Sequence, residues 1–365
     1  MNRSKVPAIL GVVLAAALLG ACGRAATEAP PSRAAAPAGA EVAGAAAPSA
    51  PGDAAQPAPR PRESLLFAVP GRSLNYIAPI TAHRLGYFDE AGFDVDIQSM
   101  PSNLTIAAMQ RGDLQITASG GSAIRAAVRG APFKLVSFMT VRPTFYLLTQ
   151  PDIRTPAQLI GKRIAVSDLG GSQANYMQLY LREQGLDPSQ VTLAGMGPNA
   201  PVQLAALQNG ALDGAVFDVG SAAFAEVQGF HLLRALGEVA PQPLQGVVAT
   251  EDYIQKSPGS VQAFLKALVR GLLYVKQNPR DTAAIAREEV GHDMDEATAL
   301  RGVQLYADVI WAEAPGYADE KLLDAFYLYD VKTPLELPPD QPLPAYHDFR
   351  FLLEAYDELG IPRPR

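Results

Sequence analysis

The side chains able to do chemistry are few, and most of them belong to three short loops. Ser119-Gly120-Gly121-Ser122 and Gly170-Gly171-Ser172 each stand between an apolar run of strand length and a helical pattern, and the second helix carries Gln173, Asn175 and Tyr176. Paired glycines let backbone approach a ligand closely, and a helix start offers unpaired N–H donors and partial positive charge, so both loops suit anions or polar oxygens. Each loop alone reads equally well as a tight turn with a Ser cap; their recurrence is what favours ligand binding. The third loop, Pro70 to Tyr76, offers Asn75 as donor and acceptor and Tyr76 as a ring face, or else a cap and a core aromatic. Asp218, just past another apolar run, either accepts from a ligand amine or caps the next helix. Arg142, before Pro143, reads as a surface residue more readily than as a partner for a ligand anion.

Patterns for catalysis are missing. The sequence holds no GxSxG, HExxH, SxxK, GxGxxG or GxxxxGK[ST]. Its one cysteine, Cys22, excludes an internal disulfide or a thiolate zinc site, and His83, His231, His292 and His347 are scattered. His83 with Asp89 reads as a helix-surface pair. No enzyme activity, cofactor or metal is expected. The formal charge of −7 argues against a basic face for nucleic acid.

These loops need a scaffold, and the chain supplies one in three sections. Arg3 and Lys5 precede an apolar run from Val6 to Gly20 that ends in Leu19-Gly20-Ala21-Cys22, the pattern of a secretory signal. The run is shorter than the roughly 20 residues a membrane span needs. Gly23 to Arg60 holds 16 Ala and 7 Pro and no Leu, Ile or Phe, so residues 22–63 are expected to form a disordered tether. From residue 64 onward, runs of strand length alternate with helical patterns, many of them closed by Gly. Strands are predicted at Leu65 to Val69, Phe93 to Ile97, Leu114 to Ala118, Phe133 to Met139, Phe145 to Thr149, Ile164 to Ser167 and Gly214 to Phe217. Helices dominate after Asp252, among them Glu296 to Trp311, Asp319 to Leu328 and Tyr346 to Leu359. Length and a 48% apolar share fit two domains, and the alternation predicts α/β sheets with ligands at the carboxyl ends of strands.

Several stretches resemble known signatures. Leu-Gly-Ala-Cys resembles the bacterial lipobox, which implies a signal peptide over residues 1–21, acylation of Cys22 and extracytoplasmic anchoring to a membrane by lipid. Gly86-Tyr87-Phe88 through Gly92-Phe93-Asp94-Val95, Ala107 to Leu114, Leu159 to Val166 and Ala205 to Ala215 resemble, in order, the signature pieces of the nitrate, sulfonate and thiamine-precursor binding proteins of ABC importers. The resemblance implies a type II periplasmic-binding fold: two β/α lobes, a hinge of two crossing strands and a ligand cleft. Lobe 1 would comprise residues 64–149 plus 250–365, lobe 2 residues 150–249, with crossings near Thr149 to Asp152 and Gln245 to Ala249. It further implies a small-molecule ligand, an ABC permease as partner and a monomer. Cleft contacts would come from Asn75, Tyr76, Ser119, Gly120, Gly121, Ser122, Gly171, Ser172 and Asn175. Alternatives are a sensory binding module for a membrane receptor and an enzyme like the pyrimidine synthases, whose cysteine-rich motif this chain lacks. The ligand stays open: helix starts and serines suit an anion, whereas Tyr76, Tyr176 and Asp218 suit an aromatic heterocycle bearing an amine.

Overall fold

The computed structural model describes residues 62–197, 199–291 and 294–364. The signal, Cys22 and nearly all of the expected tether lie outside the described residues. The chain first lays down β1 (Glu63–Val69), α1 (Ile77–Arg84), α2 (Tyr87–Glu90), β2 (Phe93–Ser99), α3 (Ser102–Arg111), β3 (Ile116–Thr117), α4 (Gly120–Val128) and β4 (Phe133–Ser137). A second set follows: β5 (Tyr146–Thr149), β6 (Arg163–Val166), α5 (Ser172–Glu183), β7 (Thr192–Gly195), α6 (Ala200–Gln208), β8 (Gly214–Phe217), α7 (Val219–Val227) and β9 (His231–Ala235). After β10 (Val247–Thr250) come α8 (Glu251–Lys256), α9 (Pro258–Gln277), α10 (Pro279–Glu289), α11 (Glu296–Ala307), α12 (Glu320–Phe326) and α13 (Arg350–Leu359).

Two five-stranded sheets result, ordered β2-β1-β3-β10-β4 and β7-β6-β8-β5-β9. Each has three parallel strands, then an antiparallel strand that has just arrived from the other sheet. The inner parallel strands β1, β3, β6 and β8 are largely buried and read as short apolar runs, which makes them legible. The expected crossings fall elsewhere. β5 bonds between β8 and β9 of the second sheet, and β10 between β3 and β4 of the first. The connections therefore run through residues 138–145 and 236–246, not at Thr149 to Asp152 and Gln245 to Ala249. An apolar run fixes a strand but does not say which sheet it will pair in.

The two connections touch each other. Thr140 bridges to Leu244, and the Thr140 hydroxyl donates to Gln245 Oε1 at 2.7 Å. Gln245 takes a left-handed φ of 51°, a costly conformation for a residue with a β-carbon, at the point where the chain enters β10. Helices cover both sheets. Phe264 of α9 packs on Phe67, Phe88 and Phe93 with ring centroids 5.1, 5.0 and 6.4 Å away, anchoring that helix to the first sheet. α11 packs on α7 beside the second sheet; Arg301 grips Glu226 with bonds of 2.7 and 3.1 Å, and the buried Tyr146 hydroxyl donates to Leu305 O at 2.9 Å. α11 thus reaches α7 of the second set, while α9 covers the first sheet.

Candidate functional site

The carboxyl ends of both parallel sets supply the loops singled out from sequence. After β1, a single 3-10 turn over Leu74–Tyr76 carries Asn75, whose Oδ1 accepts from the Thr144 hydroxyl at 2.8 Å. Asn75 is thereby tied to the first connection between the sheets. Tyr76 is half-buried and caps α1. After β3, Ser119 is buried, its N–H donating to Thr117 Oγ1 at 3.1 Å.

The two glycines of that loop meet parts of the protein itself. A β-carbon on Gly120 would lie 2.6 Å from the Gly246 Cα, so this glycine exists to let the hinge backbone pass. On Gly121 it would lie 2.5 Å from Oδ2 of Asp330. Ser122 Oγ accepts from Arg125 Nη2 at 3.0 Å, one turn along α4. The carboxylate of Asp330 therefore stands beside the first turn of α4.

Sequence reading missed Asp330. It belongs to a π-helical stretch, Tyr327–Lys332, that continues α12 where a plain helix end at Leu328 was expected. Such stretches are frequent at functional sites because the extra residue per turn re-aims side chains. Arg125 Nη1 stands 3.7 Å from Asp330 Oδ1, beyond hydrogen-bond reach, and bonds the Asp330 backbone carbonyl instead. Among the described residues no group donates a hydrogen bond to the Asp330 carboxylate, which is 26% exposed. Burial pushes its carboxyl above the usual carboxylate range, and Arg125 offsets this only in part. No local pattern marks this residue; only long-range packing brings it to α4.

The second lobe contributes an open counterpart. Gly171 caps α5 in extended conformation, and Ser172 and Asn175 are exposed with no side-chain bond among the described residues. One turn further, the buried Tyr176 donates its hydroxyl to Ala240 O of the hinge at 2.9 Å. Burial first and the Asp330 charge second raise the Tyr76 phenol far above its ordinary value; for Tyr176 the causes are burial, then Tyr329, then Asp330. Behind Tyr76, the fully buried Tyr306 hydroxyl has no partner among the described residues. Asp218 is brought to the helix start of α7, where Oδ1 accepts from the Ser221 N–H at 3.0 Å and caps the helix. Arg142 bonds Asp308 O at 2.8 Å, away from these loops. Among the described residues no cluster of His, Cys, Asp or Glu is fit to hold a metal, and no helix is long and apolar enough to cross a membrane.

Two β/α lobes joined by two crossing connections define a two-lobed periplasmic-binding architecture. The chain belongs to the family described as NMT1/THI5 like, whose model matches residues 73–282. No curated protein matches it in sequence. Solved structures share the fold. The periplasmic aliphatic sulphonate binding protein SsuA of Escherichia coli aligns with a TM-score of 0.60 at 18% identity, covering 75% of this chain and 87% of that one. A sulfonate-binding SsuA from Methylobacillus flagellatus KT gives 0.62 at 16% identity, covering 82% and 96%. A mutant of the desulfurization enzyme DszB, in complex with biphenyl-2-sulfinic acid, gives 0.59 at 16% identity over 81% and 99%. At such identities the likeness is one of fold, and it spans binders and an enzyme alike.

Proposed function

We propose that this chain is an extracytoplasmic solute-binding protein that captures a small molecule between its lobes and presents the closed form to an ABC permease. The observation that supports this reading is the pair of β/α sheets joined by two connections that meet through Thr140 and Gln245, with the Ser119–Ser122 and Gly171–Asn175 loops at the carboxyl ends of their strands. The walls of the cleft are Tyr76, Gly121 and Ser122 on one side and Gly171, Ser172 and Asn175 on the other; Asn75, Ser119 and Gly120 hold the hinge side. The lobes divide at the two connections, with residues 146–235 forming the second. The mechanism is differential affinity: a solute touching both walls binds the closed form better and shifts the population toward it. Lipid on Cys22 holds the body at a membrane, since residues 64–365 carry 24 Lys and Arg against 33 Asp and Glu and are not drawn to an anionic surface by charge. The reading of binder over enzyme is supported by a sequence with no cysteine besides Cys22 and no nucleophile–base pattern.

The test is mass spectrometry of small molecules released on denaturing the full chain, followed by calorimetric rebinding. A stoichiometric solute whose affinity falls at least tenfold in Ser172→Trp, with the melting midpoint kept, is expected. A purified chain that releases nothing and binds none of a broad nutrient panel would overturn the assignment.

A further inference from the structure

We propose that α11 is a third hinge element: the lobes swing about its C-terminal turn as well as about the two connections, and the Arg301–Glu226 pair sets how far they swing. This needs two lobes but no particular solute, so it goes beyond the binding reading above. A helix C-terminus leaves its last carbonyls short of intrahelical donors and carries partial negative charge. The carbonyls at this end of α11 receive donors from three different parts of the chain. Lys276 of α9, the helix anchored on the first sheet, donates from Nζ to Ala307 O at 2.7 Å. Tyr146 of β5, in the second sheet, donates its hydroxyl to Leu305 O at 2.9 Å. Arg142 of the first connection donates from Nη2 to Asp308 O at 2.8 Å, while its Nη1 stands 3.8 Å from Glu238 Oε1 of the second connection.

A rotation displaces atoms in proportion to their distance from its axis, so bonds that reach both lobes survive a swing only where the axis passes close by. Leu305 to Asp308 cover roughly 5 Å of helix rise, and one axis through that turn preserves all three bonds. Leu74 fits the same motion. It is buried in the loop after β1 with Cδ1 where a β-carbon on Gly302 of α11 would stand, and 3.9 Å from where one on Gly220 of α7 would lie. Two glycines thus shape a smooth socket in which this side chain can turn. Arg301 lies a turn before the carbonyls and holds Glu226 of α7 with bonds of 2.7 and 3.1 Å, both side chains being about one-third exposed. A swing that draws α7 away from α11 stretches this pair, which lies farther along the lever than the pivot bonds. Its two-pronged geometry fixes the rest position, and its attraction falls only inversely with distance, so it limits amplitude without locking the lobes.

The experiment is spin-label distance measurement on the full chain without solute, with labels on Leu104→Cys of the first lobe and Leu169→Cys of the second in a Cys22→Ser background. Arg301→Met and the isosteric Glu226→Gln are compared singly and together. Each single variant should broaden the interlobe distribution, populating separations outside the parent's range severalfold more. The double variant should broaden it no further than either single one, because both act through one pair. Unchanged widths in both single variants, even with a lowered melting midpoint, would mean that the pair only glues one rigid body and would overturn the proposal. So would a double variant that broadens by the sum of the two. Because no solute enters the measurement, a chain that behaves as expected yet releases and binds no solute keeps this hinge and loses the binding reading.

Discussion

The Asp330 carboxylate occupies the place that a β-carbon on Gly121 would take, Oδ2 lying 2.5 Å from that point. A side chain from near the far end of the chain thus packs against a glycine that sequence reading assigns to a ligand, and Arg125 of that glycine's helix stands 3.7 Å from the carboxylate.

Asp330 should be a liability for stability when no solute is bound. Its folded-state pKa is raised, chiefly by burial, so the folded protein holds this proton more tightly than the unfolded chain does. Its contribution therefore falls as pH rises from the ordinary carboxylate value through the raised one, and the penalty is full above that. Asp330→Asn should raise the melting midpoint at pH 7 and lose that advantage on acidification. Equal midpoints at pH 7 would contradict this.

The neighbouring glycines should behave differently on substitution by alanine. Gly120→Ala drives a β-carbon to 2.6 Å from the Gly246 Cα, backbone that cannot step aside. A loss of about 1–3 kcal/mol in urea unfolding is expected, as for overpacking elsewhere. Gly121→Ala meets the end of a side chain, so it should displace Asp330 at smaller cost to stability. The reverse ranking of stabilities would be inconsistent with the contacts described.

Two buried tyrosines separate a satisfied hydroxyl from an orphan. Tyr146→Phe leaves the Leu305 carbonyl at the end of α11 without its donor and should cost about 1–2 kcal/mol. Tyr306→Phe removes a buried hydroxyl that has no partner among the described residues and should be neutral or stabilising by up to about 1 kcal/mol. Chemical denaturation of both variants is the check. A costly Tyr306→Phe would mean that this hydroxyl is bonded after all.

Much of the framework is legible in the sequence because buried parallel strands announce themselves as short apolar runs between glycines. Leu65 to Val69 and Gly214 to Phe217 fall on β1 and β8 for this reason. β7 and β9 escaped notice: Thr192–Gly195 and His231–Ala235 are sheet edges with no fully buried residue, so their patterns are weak. The loops after β1, β3 and β6 were legible as glycine-bearing strand ends. What touches those glycines was not, because Gly246 and Asp330 reach them through tertiary packing that no local window contains. The π-helical stretch was hidden too, since Tyr327 to Lys332 carries ordinary helix-compatible residues and its register depends on packing.

The central claim, a solute gripped between two lobes that move about the connections, is most directly tested by distance measurement across the cleft mouth. Leu104 and Leu169 are exposed just beyond the ends of β2 and β6, one on each lobe, and Cys22 is the chain's one cysteine. Spin labels on Leu104→Cys and Leu169→Cys in a Cys22→Ser background should give a distance distribution that shortens and narrows when the natively released solute is added. A distribution unchanged at saturating solute would contradict the account.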